Sequence, residues 1–447
     1  MKNNEQRLDF MATTKALIMF SLPLIGSGIL QQLYNWVDAF VVGNFVGETA
    51  LAAVGSTGTV INFWLMAITG FTLGLSILVG RKFGSGKRDY IARLLSTFSL
   101  FLGVVAIVAM IVGIGFIHSL LVLLDTMPDA MTLAETYLKI CFLGVPFLAV
   151  YNVYYAALRG IGDSRTPFLA IMISSVLNIV LNVLFVAYFK WGIAGAAIAT
   201  VISQMGMTIF IICYAVKKHA LLRFPWKGKL FHLDVFKEGL RFGFSPMIQS
   251  SVSAFGSLLL QNFMNGFGTQ TVAAITTAYR VDTIVILPII NLGSGIATMV
   301  AQNHGAGSLK KAHNVLTAGL WLMILISLFL TALIIPFGGK VIALFGISPA
   351  SIAIGHAFFQ RLASFYVIYG LAMAMRGYLE GMGELRYSSF ASISGLVVRI
   401  VASYGLVVYF DNMVIAYAEA IGWLALFSLF LGRLLVVNRK KRVDIFF

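Results

Sequence analysis

The sequence predicts an all-α polytopic membrane protein, with twelve transmembrane helices in two pseudo-symmetric six-helix bundles arranged as parallel repeats. Three observations carry this expectation. Of the 447 residues 59% are hydrophobic and only 11% charged, with a mean hydropathy of +0.92, whereas a soluble domain carries roughly 25% charged residues. Twelve apolar runs are each long enough to cross ~30 Å of hydrocarbon, which takes about 20 residues. Finally, an offset of 221 residues superimposes separate pieces of the two halves.

The runs cover residues 16–42, 50–79, 94–117, 132–157, 167–189 and 192–216 in the first half. In the second they cover 240–264, 271–301, 314–337, 353–375, 388–410 and 414–436. The first run is too long for a cleaved signal segment and reads as a span. Pro23, Pro146, Pro246 and Pro288 fall inside runs, where a missing N–H bends a helix. The connections alternate. Even-numbered ones are basic, such as Arg81-Lys82 with Lys87-Arg88, and Lys310-Lys311, while Gly43–Thr49 and Asn265–Thr271 hold no Lys or Arg.

This alternation decides what the net charge of +15 means. Of 32 Lys and Arg, 24 fall on predicted cytoplasmic segments, 2 on external ones and 6 within the apolar runs. That is the inside-positive bias of a membrane protein. The cations then face anionic lipid, not nucleic acid. Both termini are expected in the cytoplasm of a plasma (cell inner) membrane protein, the carboxyl end carrying Arg439, Lys440, Lys441 and Arg442. The two cysteines lie in apolar runs and the six histidines show no metal-ligand spacing, so no metal site is expected.

The repeat pairs Gly84-Ser85-Gly86 with Gly305-Ala306-Gly307, Leu51-Ala52-Ala53-Val54 with Val272-Ala273-Ala274-Ile275, and Gly74 with Gly295. It also pairs Leu158–Asp163 with Leu379–Glu384, while Pro23 and Pro246 are two residues off this register. Six spans per half return the chain to its starting side, so the halves insert alike. Residues 1–216 are expected to form the amino-terminal bundle, 217–239 a cytoplasmic linker and 240–447 the carboxyl-terminal bundle. Transporters of this kind bind substrate between halves that rock against each other.

Ionisable residues inside spans are costly and therefore functional candidates. Asp38 ends the series Gln31, Asn35, Asp38 at i, i+4 and i+7 in span 1, beside Tyr34. It reads either as an interfacial acid next to Trp36 or as a carboxylate facing an internal cavity that binds a cation or exchanges a proton. Ser174, Asn178 and Asn182 form a second stripe in span 5. Interhelical hydrogen bonding explains them, and so does a site shared with Asp38. Asn152 in span 4 joins these candidates. In the second half the candidates are Gln261, Arg280, Asp282, Arg399 and Glu419. Arg280 and Asp282, two residues apart, point to opposite helix faces, and Arg399 has Glu419 or Asp282 as possible partners. Gly80–Lys87 fails as a phosphate loop, with five residues between the glycines and Arg88 after the lysine. No nucleotide site, nucleophile or redox motif is visible. The chain is thus expected to be no enzyme, to need no cofactor, and to draw on an ion gradient.

Leu33-Tyr34-Asn35-Trp36-Val37-Asp38, followed by Gly43 and Leu51-Ala52-Ala53-Val54-Gly55, resembles the first two spans of the multidrug and toxic compound extrusion (MATE) family. Ala157–Ser164 is similar to that family's turn after span 4. Tyr279-Arg280-Val281-Asp282 with Ala301–Gly307 is similar to its span 8 and following turn. The likeness is strongest to the DinF-like bacterial branch. It implies two six-helix bundles and cation-coupled antiport, by H⁺ or Na⁺, of bulky and often cationic drugs. In related members the span-1 acid is a coupling or drug-binding site, and Asp38 matches it. The span-5 position is often Asp there but is Asn182 here, which does not supply the second carboxylate of a proton relay. Another branch uses a span-7 acid for Na⁺, whereas this span has Gln261 and Asn262. The resulting expectation is a secondary-active multidrug exporter that acts as a monomer on small organic substrates within membrane lipid, without nucleic acid. The alternatives are a lipid-linked precursor flippase of the same superfamily and a non-transporting membrane protein.

Overall fold

The computed structural model describes residues 2–124, 126–225 and 228–441, with no statement on the side chains of 2–8, 440 and 441. Arg442 and the side chains of Lys440 and Lys441, part of the expected basic carboxyl end, lie outside the described set, as do linker residues 226 and 227. The described residues form sixteen α-helices and no strand. Nine helical stretches are long and apolar enough to cross a membrane, or ten with one bent pair. One stretch, Leu385–Arg439, holds two helices separated by a turn at residues 411–413. A further long helix, Leu233–Asn265, carries Gln249, Gln261 and a series of serines. Together these make the twelve expected rods among the described residues, and the chain is a multi-pass membrane protein. Helices suit that setting because every backbone group is satisfied within the segment.

The first half comprises α1 (Lys2–Phe45), α2 (Glu48–Gly84), α3 (Arg88–Gly115), α4 (Ile117–Leu123), α5 (Pro128–Phe142), α6 (Val145–Gly160), α7 (Arg165–Asn182) and α8 (Gly192–Lys218). The second comprises α9 (Leu233–Asn265), α10 (Thr269–Val285), α11 (Leu287–Gly305), α12 (Leu309–Ala343), α13 (Pro349–Leu362), α14 (Tyr366–Gly381), α15 (Leu385–Phe410) and α16 (Val414–Lys441). Two of the prolines expected to bend helices lie at breaks between helices. Pro146 sits in the first turn of α6, and α5 and α6 form one span bent by 44°. Pro288 sits in the first turn of α11 and separates it from α10. Both occupy the helix position where no N–H is needed. Pro23 and Pro246 remain inside α1 and α9.

The 221-residue repeat holds in the structure. Helix starts at Glu48, Arg88, Pro128 and Val145 recur at Thr269, Leu309, Pro349 and Tyr366. The same helices pack together in each half: α2 on α5 and α6 as α10 on α13 and α11 on α14, and α7 on α8 as α15 on α16. The turn glycines recur with their conformation, φ 76° at Gly86 and 74° at Gly307, 93° at Gly162 and 91° at Gly383, a region that other residues enter at a cost. The tight crossings recur as well. A Cβ on Gly160 would lie 2.6 Å from Val79 Cβ, and one on Gly381 would lie 2.6 Å from Val300 Cβ.

The chain separates into two compact units, Gly26–Met247 and Met1–Ile25 with Ile248–Phe447. The boundaries thus fall inside α1 and α9, just after Pro23 and Pro246, and the expected linker 217–239 lies wholly within one unit. Each unit therefore contains the opening part of the other half's first helix. The packing follows the same repeat. Gly74 of α2 lies against the Phe242 carbonyl, and Gly295 of α11 lies against Ser21 Oγ, 221 residues before Phe242.

Asp163 pins the turn after α6. Its Oδ1 accepts from the Thr166 amide at 3.1 Å, and its Oδ2 accepts from Thr166 Oγ1 at 2.7 Å and Lys218 Nζ at 2.9 Å, with His219 Nε2 at 2.8 Å. Glu384, 221 residues later, pairs with Arg433 at 2.7 Å. Burial works to raise the Asp163 carboxyl, but the hydrogen bonds from His219, Lys218 and Thr166 outweigh it and hold the group down to about 2. A depressed carboxyl stabilises the fold above its ordinary value of about 4, and that stabilisation is lost as pH falls through about 2. Thermal unfolding followed from pH 6 downward should show this loss in the wild type, and Asp163→Asn should flatten it. An identical acid profile in that variant would refute the assignment.

Candidate functional site

Within the unit Gly26–Met247, Asp38 of α1 is 7% exposed, and Asn178 and Asn182 of α7 are fully buried. The asparagines are one helical turn apart, so their amides stack along one face. Asn182 Nδ2 donates to Asp38 Oδ1 at 3.0 Å and to Asn178 Oδ1 at 2.8 Å. Asn178 Nδ2 reaches Thr200 Oγ1 of α8 at 3.5 Å, and Thr200 in turn donates to the Ala196 carbonyl at 3.0 Å. Tyr137 of α5 points its hydroxyl at Asp38 Oδ2 at 3.5 Å, and Tyr34 meets Thr200. Four helices thus converge on one carboxylate. Directly after Asn182 the chain turns as a π-helix over Val183–Tyr188, a distortion that often accompanies functional positions.

Two features define what this pocket of polar atoms can do. No Lys, Arg or His among the described residues lies within 4.0 Å of the Asp38 carboxylate. Asn182 Oδ1, also buried, has no hydrogen-bond partner. The site thus combines a carboxylate with an unpartnered amide oxygen on the residue that donates to it. Hard cations prefer such oxygen donors, and a buried charge requires compensation.

The structure brings together some candidates and separates others. Asp38 faces the unit interior, against α5 and α7. Gln31 and Asn35 do not share its environment and are exposed. Asn152 donates to the Leu148 carbonyl of its own helix at 2.7 Å. Ser174 donates to the Ser203 carbonyl at 3.1 Å, tying α7 to α8 below the asparagines.

The other unit holds a different cluster. Arg399 of α15 pairs with Glu419 of α16 at 3.1 Å and donates to the Tyr279 hydroxyl at 2.8 Å. Tyr279 donates to Glu419 Oε2 at 2.9 Å. Asp282, 3% exposed, accepts a short hydrogen bond from Tyr366 of α14. Of the two partners open to Arg399, the structure selects Glu419, because α15 and α16 are neighbours joined by a three-residue turn. Arg280 is exposed on the opposite face of α10, as the spacing requires. Gln261 is exposed and donates to Asn265 Oδ1 at 3.0 Å, outside this cluster.

The sequence pattern of the MatE family matches residues 23–184 and again 246–405, once in each half. The chain belongs to the MatE family. The two matches begin at Pro23 and Pro246. Among MatE relatives, Bacillus subtilis "Probable multidrug resistance protein YpnP" is 30% identical over 83% of each chain. Thermotoga maritima "Probable multidrug resistance protein NorM" is 26% identical, covering 89% of this chain and 86% of its own. A solved structure described as the outward-facing conformation of a multidrug resistance MATE family transporter superimposes with a TM-score of 0.88. It is 26% identical and covers 96% of this chain and 97% of that one. The all-α MatE architecture, bacterial relatives and polytopic character expected from the sequence are therefore established.

Tyr137, Thr200 and Tyr366 are the contributors that sequence reasoning missed. Each is a single residue on a helix far along the chain from its partner, and no spacing rule links them. Tyr279 stood inside the quoted Tyr279–Asp282 motif and was the one with a visible signal.

Proposed function

We propose that this chain is a cation-coupled exporter of amphipathic organic compounds, with Asp38 as the group that alternates between coupling ion and substrate. The observation that carries the proposal is the buried Asp38 carboxylate, hydrogen-bonded by Asn182 and approached by Tyr137, with no described cationic side chain in reach. An uncompensated buried charge of this kind requires a mobile partner, either a proton or a sodium ion. Sodium would sit among Asp38 and the oxygens of Asn178, Asn182 and Thr200, where the orphaned Asn182 Oδ1 supplies a ready ligand. A proton would reside on Asp38 itself. The names of the relatives, including the Staphylococcus aureus multidrug export protein MepA at 22% identity, support the export of foreign organic molecules. The inside-positive charge distribution supports a cytoplasmic location for both termini.

The deciding experiment reconstitutes the protein in liposomes and follows efflux of a cationic dye under an imposed pH gradient, then under a sodium gradient. One of the two gradients should drive dye against its concentration difference. Dye movement that ignores both gradients would end the coupling proposal.

A further inference from the structure

A cavity of about 630 Å³ lies within the unit that contains α10, bounded by the α9–α10 connection, one face of α10 and the α12–α13 connection. This size falls in the range of small-molecule sites, roughly 300–1,000 Å³. Val272, Phe345 and Ile347 give it apolar walls, while Thr276 and Arg280 line it further along α10. Thr276 Oγ1 is buried without a hydrogen-bond partner. No carboxylate lines the cavity, and among the described residues no acid lies within 4.0 Å of the Arg280 guanidinium. Arg280 is eleven residues into α10, about 17 Å along the helix at 1.5 Å per residue. A guanidinium left unpaired within so apolar a span requires an anion or water.

We infer that this cavity binds an amphipathic organic anion, whose carboxylate, sulfonate or phosphate meets Arg280 while its apolar body rests on Val272, Phe345 and Ile347. Guanidinium presents its donors in a planar fork that matches such oxyanions bidentately. A cationic ligand is disfavoured here, because it would face Arg280 with no acid to offset the repulsion. The site is thus opposite in charge to the Asp38 site and independent of it. The same headgroup chemistry has two sources, a solute anion or an anionic lipid.

The test uses the purified full chain in nanodiscs of phosphatidylcholine, with pyrenebutyrate as the anionic probe and pyrenebutyl-trimethylammonium as its cationic counterpart. Binding is measured with no ion gradient. Arg280→Gln should weaken the Arg280-dependent binding of pyrenebutyrate by about tenfold, the loss of a hydrogen bond to a charged group, and leave the cationic probe unchanged. Ala273→Phe, which keeps the charge but fills the cavity, should weaken it too. Equal pyrenebutyrate binding by wild type, Arg280→Gln and Ala273→Phe, all folded by thermal melting, would overturn the inference. Phosphatidylglycerol added to the nanodiscs distinguishes the sources. Competition with the probe in wild type identifies lipid as the occupant, and its absence identifies a solute. Asp38→Asn should bind the anion as wild type does, so this result stands or falls separately from ion coupling.

Discussion

Asp38→Asn is expected to fold, insert and lose gradient-driven efflux. The substitution preserves shape and can still exchange a hydrogen bond with Asn182, which sits at 3.0 Å, so packing of α1 against α7 survives. What disappears is the negative charge that holds a cation or takes up a proton. A charge-assisted contact is worth about 1.5–3 kcal/mol, so ion affinity should fall by about tenfold to a hundredfold. Coupled transport should drop at least as far, while passive dye equilibration persists. Liposome efflux at matched protein content measures this directly. Asn182→Ala provides the graded control, since it keeps the charge and removes its donor, and should give a smaller loss. Wild-type rates in Asp38→Asn would exclude the carboxylate from coupling.

How much of this arrangement was legible in the sequence depends on what constrains each residue. The repeat was readable because the residues that carry it answer to the backbone. Gly86 and Gly307, and likewise Gly162 and Gly383, hold positive φ at equivalent turns, and Gly160 and Gly381 sit where helices cross too closely for a side chain. Such demands recur wherever the fold recurs. Side chains bearing chemistry do not obey the repeat. The equivalent of Asn178 is Arg399, and those of Asp282 and Glu419 are Ile61 and Ile198. One unit thus buries a carboxylate among amides and the other buries an ion pair. The unit boundaries were not legible either. The basic segment 217–239 looked like a divider because its composition changes, yet the packing boundaries lie within the apolar stretches of α1 and α9. A change in polarity marks where the chain leaves the membrane, and it carries no information about which helices touch.

That broken symmetry makes the Arg399 cluster a second place where one substitution should have a large effect. Arg399 is the cation facing two buried acids, Glu419 directly at 3.1 Å and Asp282 within the same group of tyrosines. The paired side chains are 23% and 9% exposed, so water screens them little. Arg399→Met leaves Glu419 without its partner and the Tyr279 hydroxyl without its donor. Removing one member of a buried pair typically costs about 3–5 kcal/mol, and the unit should melt at a clearly lower temperature in detergent. Changing both partners removes the charge stranded on Glu419 as well, while Asp282 keeps its hydrogen bond from Tyr366. Arg399→Met combined with Glu419→Leu should recover to within about 1 kcal/mol of wild type, because well-packed apolar replacements of a buried pair are often neutral or stabilising. Melting curves of the two single variants and the double variant, read as a cycle, isolate the pair from its surroundings. If Arg399→Met melts with the wild type, the pair is not holding α15 to α16. If the double variant is as unstable as the single one, the loss comes from the guanidinium's other contacts, and Tyr279 becomes the residue to change next.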